Sequence, residues 1–379
     1  MPQPHGNSGC SRAGRPGRSL AITLLAAAFL LRAVSGAPAQ PQTTCPLPEA
    51  DARWLQRALD AWDVVRRDFL RLEDRRLPWI VLFDAACTWH LAAEERLLRA
   101  VVSVGAPVSF GGVPLEVLGQ RHHGKILLPN RQEVPPAVKA STALYRSGRA
   151  PFLVMALPGV WRQAPEHRRR PRLEDYLVGV MVHEMTHTRH LVDANVRLRE
   201  LIRHTGLPAG LNDDVIQMEF RRTRGFEAAI ERERDLLYQA ASETDPARQA
   251  TTVFRALQLV RERHARYFSE SRRGYRDVEA VFLTLEGTAQ WAAYRFMASL
   301  AATPGSEAAL RLVRDNRRYW SQDLGLAVFL VIDSLVPGWQ SQVFSPTPPS
   351  PFDLLDEAVS ASGSRDPAFG LQPRPPASR

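Results

Sequence analysis

Apolar residues in the first half of the chain alternate between helical and strand patterns. In residues 51–74 they recur every three or four positions, the spacing of one face of a helix, and Pro78 ends that pattern. Short, continuous apolar runs then predict buried strands at residues 79–83, 125–128 and 152–157. A further helix is predicted at residues 90–102, and repeated glycine and proline predict a hairpin or loop at 105–120.

Beyond residue 165 a helical spacing replaces the strand pattern. The apolar period runs without a break from Leu173 to about His204, and Gly206 and Pro208 end it. Further helices are predicted at residues 213–241, 246–268, 276–300, 306–320 and 324–336. After Gln342 the chain becomes rich in proline and then loses its apolar periodicity.

These patterns predict an α+β fold in which a strand-containing N-terminal part is followed by a predominantly helical part. The predicted boundaries are 40–165 for the N-terminal α+β part and 166–345 for the helical part. Residues 346–379 are predicted to form a proline-rich, weakly ordered tail.

The first 39 residues have the features of a secretory signal peptide. Three arginines precede an apolar run at residues 20–31, and small residues before position 40 suit a cleavage site. The run is shorter than the roughly 20 residues that a membrane span requires, so we expect an exported protein, periplasmic or extracellular. The alternative is an uncleaved segment that anchors the chain in a membrane.

The basic composition does not indicate a nucleic-acid partner. The formal net charge is +9, and removing residues 1–39 takes away four arginines and no acidic residue, which leaves +5. The arginine clusters at 168–170 and 221–222 lack the interleaved aromatic residues on which single-stranded nucleic acids stack. We therefore interpret both clusters as solvated surface.

Two cysteines, Cys45 and Cys87, remain once the leader is removed. In an oxidising compartment they could form a disulfide that joins the N-terminal arm to the first domain. Two unpaired thiols are the alternative, because the sequence does not give the distance between them.

The strongest chemical signal is His183-Glu184-Met185-Thr186-His187, an H-E-x-x-H motif in the apolar helical stretch 177–191. Residues four apart lie on the same helix face, so both imidazoles could bind one zinc ion. Glu184 lies beside them, where its carboxylate could take a proton from a zinc-bound water. The alternative is a surface helix whose histidines match the motif by coincidence.

The third metal ligand is the open question. Asp193 lies ten residues after His183, as in the pattern H-E-x-x-H-x-x-G-x-x-[HD], but His190 replaces the glycine at which the helix must break. An unbroken helix would place Asp193 about 15 Å along the axis from His183, out of reach of a shared ion. Glu227 and Glu231 on the next predicted helix are further alternatives.

Glu286, in Glu286-Gly287-Thr288-Ala289-Gln290-Trp291, is the other candidate ligand. Together with the H-E-x-x-H motif, this segment resembles the gluzincin zinc metallopeptidases, in which a glutamate of E-G-x-A-x-[YW] on a later helix is a zinc ligand. The small residues Gly287 and Ala289 could let this helix approach the motif helix closely. The chain departs from the family in the long interval between His187 and Glu286, which two predicted helices fill.

The resemblance implies a zinc site of His183, His187 and Glu286, with Glu184 as general base in the hydrolysis of a peptide or protein substrate. It also implies that the strand at 152–157 is the edge strand that holds an extended peptide. For the donor that stabilises the oxyanion, the sequence offers His190, Tyr275 and Tyr294.

Two other functions share these residues. A secreted binding or scaffold protein of gluzincin-like fold would hold a structural metal or none, although it would not need Glu184. A zinc hydrolase that acts on non-peptide amides would need the same residues as a peptidase.

Overall fold

The fold is mixed α+β, as the sequence predicts, and is described here from a computed structural model. The described residues are 45–92, 102–103, 108–145, 148–170, 172–300, 305–314 and 318–361. The predicted signal segment 1–39 lies outside them. Among the described residues, no helix combines the length and the apolar character that a membrane crossing needs.

A six-stranded sheet forms the N-terminal part, in the order β3-β6-β2-β1-β10-β9. Its strands are β1 Trp79–Phe83, β2 Cys87–Leu91, β3 Val102–Ser103, β6 Val117–Arg121, β9 Ala140–Leu144 and β10 Pro151–Ala156. Strands β1 and β10 are parallel, and the other neighbouring pairs are antiparallel. All five residues of β1 are buried, which explains its continuous apolar run.

Two small hairpins accompany the sheet: β4 Ser109–Phe110 with β5 Val113–Pro114, and β7 Ile126–Leu127 with β8 Glu133–Val134. The first lies in the predicted hairpin or loop region.

The prediction of a helix at 90–102 is wrong at its start, because His90 and Leu91 belong to β2 and residues 93–101 lie outside the described part. The missed signal is Asp84, whose Oδ1 accepts hydrogen bonds from the backbone of Ala86 and Cys87 (2.7 Å each) and turns the chain back after β1.

Besides a π-helix at Val65–Phe69 and a 3-10 helix at Glu270–Arg272, twelve α-helices are present among the described residues. They are α1 Glu49–Val64, α2 Pro158–Gln163, α3 Leu173–His187, α4 Leu191–Thr205, α5 Val215–Phe220, α6 Phe226–Ser242, α7 Pro246–Tyr267, α8 Tyr275–Ser299, α9 Gly305–Val313, α10 Trp320–Leu335, α11 Trp339–Val343 and α12 Pro351–Ala361. The predicted helix 213–241 is divided into α5 and α6, whereas α7 and α8 match their predicted ranges closely. The prediction of a weakly ordered tail is wrong for Pro351–Ala361. These residues form α12, which buries Phe352, Leu354 and Leu355 in the core.

A disulfide between Cys45 and Cys87 joins the segment before α1 to strand β2. The backbone oxygen of Cys45 also accepts a hydrogen bond from the buried indole of Trp89 (2.8 Å). Of the two possibilities that the sequence leaves open, the structure therefore contains the bonded pair.

Helices α8 and α10 cross with their backbones in contact, and this crossing places Glu286. A Cβ added to Gly287 would lie 2.5 Å from Cδ2 of Phe329 and 2.7 Å from the backbone oxygen of Gly325. A Cβ added to Gly325 would likewise lie 2.7 Å from Cα of Gly287. The small size of Gly287 therefore serves the contact with α10, and not the approach to the motif helix that the sequence suggests.

We predict that Gly287→Ala lowers the free energy of unfolding by about 1–3 kcal/mol, because the added methyl group overpacks the crossing. The matched control is Gly159→Ala in α2, where an added Cβ meets nothing within 4 Å. Urea unfolding followed by circular dichroism gives both values. Equal midpoints for the two variants would contradict the close crossing.

Candidate metal centre and cleft

Helix α3 presents the two motif histidines from inside the protein. Its apolar residues, Leu177, Val178, Met181, Val182 and Met185, are at most 1% exposed, so the helix is surrounded by core. The four-residue spacing places both imidazoles on one face, where they meet helix α8. The prediction of a buried motif helix is confirmed, and the alternative of a surface helix is wrong.

His183, His187 and Glu286 form one buried group. The two Nε2 atoms are 2.9 Å apart. Nε2 of His183 lies 3.4 Å from Oε2 of Glu286, and Nε2 of His187 lies 3.3 Å from Oε1. One ligand atom from each residue lies within 4.8 Å of the others, so the three residues could hold a metal ion.

The two distances between histidine and glutamate match the spacing of ligands around a shared metal ion, whereas the 2.9 Å between the imidazoles is that of a hydrogen bond. A tetrahedral ion with bonds of about 2.0–2.1 Å separates its ligand atoms by roughly 3.3 Å. In addition, Oε2 of Glu286 is buried and has no hydrogen-bond partner. An unpaired carboxylate oxygen in the interior is costly, and a cation between the three residues would satisfy it.

Two of the three residues, Glu286 and His187, have protonation states that suit a metal site. Burial by itself raises the pKa of Glu286, but the adjacent His187 and His183 outweigh burial and lower this pKa to about 2. Burial lowers the pKa of His187 to about 4. Near neutral pH, Glu286 is therefore an anion and His187 a neutral imidazole with a free lone pair, which are the forms that bind metals. Burial lowers the pKa of His183, but the Glu286 carboxylate outweighs burial and raises this pKa, so a metal ion would have to displace a proton from His183.

The other proposed ligands lie outside this group. Helix α3 ends at His187, and α4 begins at Leu191, so the predicted unbroken helix is wrong. The hydroxyl of Thr188 donates to the backbone oxygen of Met185 (2.6 Å) just beyond the end of α3, and the backbone leaves the helical conformation at His190, with φ −133° and ψ 0°. Even with this break, Asp193 is not part of the group.

Glu227 and Glu231 are both exposed on α6 and are not part of the group either. Although their distance from the motif along the sequence is more usual for a third ligand, neither residue lies at the metal group. Among the described residues, His183, His187 and Glu286 are the only cluster of three with metal-binding geometry.

Glu184 lies beside the metal group and is held by Thr142 of strand β9. The Thr142 hydroxyl lies 2.9 Å from Oε2 of Glu184 and 2.8 Å from its backbone oxygen, so it can donate to either. Burial raises the pKa of Glu184, while His183 and Thr142 act in the opposite direction. Thr142 was missed in the sequence, because Ala140–Leu144 has neither an apolar run nor clear alternation.

A cleft of about 1320 Å³ contains the metal group and Glu184. Strand β9 forms one wall, and helices α3, α4 and α8 form much of the rest. The prediction that 152–157 is the edge strand is wrong, because β10 pairs with β1 on one side and β9 on the other. The edge strand on this side of the sheet is β9, which the sequence analysis missed.

None of the three oxyanion donors suggested by the sequence lines the cleft. His190 is buried with its ring against Phe344, and Tyr275 packs edge-on against Phe220. Tyr294 is half-buried elsewhere on α8. The hydrogen-bond donors that do line this part of the cleft are Arg318, Tyr319 and Gln322.

Two acidic residues missed by the sequence analysis, Asp213 and Asp214, also line the cleft. Burial, and then the nearby Glu286 carboxylate, raise the pKa of Asp213 to about 7. Burial and Glu286 raise the pKa of Asp214 as well. Asp213 is therefore only partly ionised near neutral pH, and the Arg318 guanidinium opposes the shift of the Asp214 pKa.

No protein-family model matches the chain, and neither a curated protein nor a solved structure gives a significant match to it. Any assignment of function therefore rests on the geometry of the site.

We predict that the full chain binds about one zinc ion, and that Glu286→Ala lowers its affinity roughly 100-fold or more because one of three protein ligands is lost. Metal content after dialysis, with competition by a chelating dye, measures both. Asp193→Ala and Glu227→Ala are the controls and should retain the ion. Zinc retained by folded Glu286→Ala would show that the third ligand lies elsewhere.

Proposed function

We propose that the protein is a zinc-dependent metallopeptidase of the gluzincin type. The observation that carries this proposal is the buried group of His183, His187 and Glu286, with Glu184 beside it in an open cleft. Two imidazoles and one carboxylate are a ligand set of catalytic zinc sites, which leave one position for water. Bound there, zinc would supply Lewis-acid activation of that water and of the substrate carbonyl.

Glu184 is the proposed general base. It takes a proton from the attacking water and delivers it to the leaving amine, and a carboxyl whose pKa is raised by burial suits both steps. Thr142 orients the carboxylate by its hydrogen bond to Oε2. Arg318 and Tyr319 supply donors in the cleft that could stabilise a developing oxyanion.

The edge strand β9 provides a place for a peptide. Within the described residues, β9 pairs only with β10, so its other edge is available for an extended chain that adds as a further strand. Thr142 connects this edge directly to Glu184. Main-chain hydrogen bonds to β9 would therefore bring a peptide bond beside the proposed base.

Export of the protein belongs to the same proposal. The arginines and the apolar run in residues 1–39 support a cleaved signal, and the Cys45–Cys87 disulfide is the form that cysteines take in oxidising compartments. Detection of the mature chain outside the cytoplasm, with its N-terminus determined by mass spectrometry, tests this part.

We predict that Glu184→Gln lowers peptidase kcat by a factor on the order of 100 to 10,000 while zinc stays bound, because the amide cannot accept the proton. Cleavage of a denatured protein by the zinc-loaded chain, followed by mass spectrometry, is the assay. Glu227→Gln is the control and should cleave normally. A zinc-loaded chain that cleaves no peptide would favour the binding or scaffold function instead.

We predict that Thr142→Val lowers kcat by roughly 10- to 100-fold with little change in KM, since a hydrogen bond to a charged group contributes about 1.5–3 kcal/mol. Thr142→Ser retains a hydroxyl and should keep most of the activity. If Thr142→Ser lowers kcat as much as Thr142→Val does, Thr142 acts through packing and not through its hydroxyl.

A further inference from the structure

The hydroxyl of Thr142 marks the point on β9 that faces the reacting groups. It is within hydrogen-bond distance of the Glu184 carboxylate, and Glu184 adjoins His183 in sequence and in the cleft. A peptide that lies along β9 would therefore have its reacting bond near Thr142. The length of the cleft on each side of Thr142 determines whether it can bind an internal segment of a substrate or only a chain terminus.

On the N-terminal side of Thr142, the cleft wall continues for four residues, from Val138 to Ser141. Two of them, Ala140 and Ser141, belong to β9 and add roughly 7 Å at about 3.3 Å per residue, and Val138 and Lys139 precede the strand. The backbone N–H of Ala156 donates to the oxygen of Lys139 (2.8 Å), and α2 begins two residues after Ala156. This end of the cleft therefore adjoins α2 and the segment that follows it.

Aromatic and basic side chains line the same end. The rings of Trp161 and His167 are 4.8 Å apart, and the Arg170 guanidinium lies 4.0 Å from the ring centre of Tyr176. Tyr176 precedes His183 by seven residues of α3, which is about 10 Å along the helix axis. All four side chains line the cleft, so it extends well beyond the metal group in this direction.

On the C-terminal side of Thr142, the wall continues through Ala143 and Leu144 and then along α4. Asn195 of α4 lies beside Gly148, in the connection between β9 and β10, with its Nδ2 3.9 Å from the position of an added Cβ. Leu198, one turn further on, also lines the cleft. Asp213 and Asp214 belong to the lining as well.

Small-ligand pockets measure about 300–1000 Å³, and this cleft is larger, at about 1320 Å³. An exopeptidase must hold a terminal amine or carboxylate one or two residues from the reacting bond. Here the lining continues past that point on both sides. Resting on the proposed peptidase function, we infer that the enzyme is an endopeptidase that cleaves internal bonds of extended polypeptide segments.

The test uses the zinc-loaded full chain and a library of twelve-residue peptides in two forms. One form has free termini, and the other is N-acetylated and C-amidated. We expect the blocked peptides to be cleaved at internal bonds, with kcat/KM within about threefold of the free form. Extending the peptide from one to three residues on either side of the cleaved bond should raise kcat/KM on the order of tenfold, because remote contacts contribute binding energy.

Three results would overturn the inference. Loss of cleavage on N-acetylation would show capture of a terminal amine, for which Asp213 and Asp214 are the available groups. Loss on C-amidation would show capture of a terminal carboxylate. Cleavage of neither form would count against the peptidase function itself, and Glu184→Gln run in parallel removes any contribution from contaminating proteases.

Discussion

A carboxylate buried against two imidazoles is the constraint on which the rest of this structure depends. Glu286 is 5% exposed, and one of its oxygens has no hydrogen-bond partner. Burial of such a charge is tolerated only where positive charge or a metal compensates it. The two imidazoles come from α3 and the carboxylate from α8, so these helices must be fixed relative to each other for the site to exist.

Helix α8 is held by its backbone crossing with α10 and by a buried ionic network two turns before Glu286. Arg263 of α7 donates to Glu233 of α6 (2.8 Å) and to Glu279 of α8 (2.7 Å), and His264 also contacts Glu279 (2.7 Å). The Arg263 side chain is fully buried. Replacing one member of such a network would leave a buried charge unpaired, so the network ties α6, α7 and α8 into one rigid frame.

The sequence predicts the parts of this site that depend on local spacing. Two histidines four residues apart, in an apolar helix, must share a face, whereas Glu286 was suggested by the resemblance of its segment to the gluzincin pattern. The strand β9 was missed because a half-buried strand of small residues has no apolar signature. The end of α3 was missed because the backbone leaves the helix at His190 (φ −133°) without a glycine or proline in residues 188–190 to mark the break.

Strand β9 has half-buried residues throughout and lies in the wall of a cleft, with α3 and α4 close by. A strand that already belongs to a folded sheet brings its neighbours with it, and these would collide with the helices. A single unpaired chain can enter. Under the proposed peptidase function, the recessed edge would therefore select substrates by conformational state, admitting unfolded segments and rejecting native proteins. It would also keep a second copy of this protein from pairing with its own open edge.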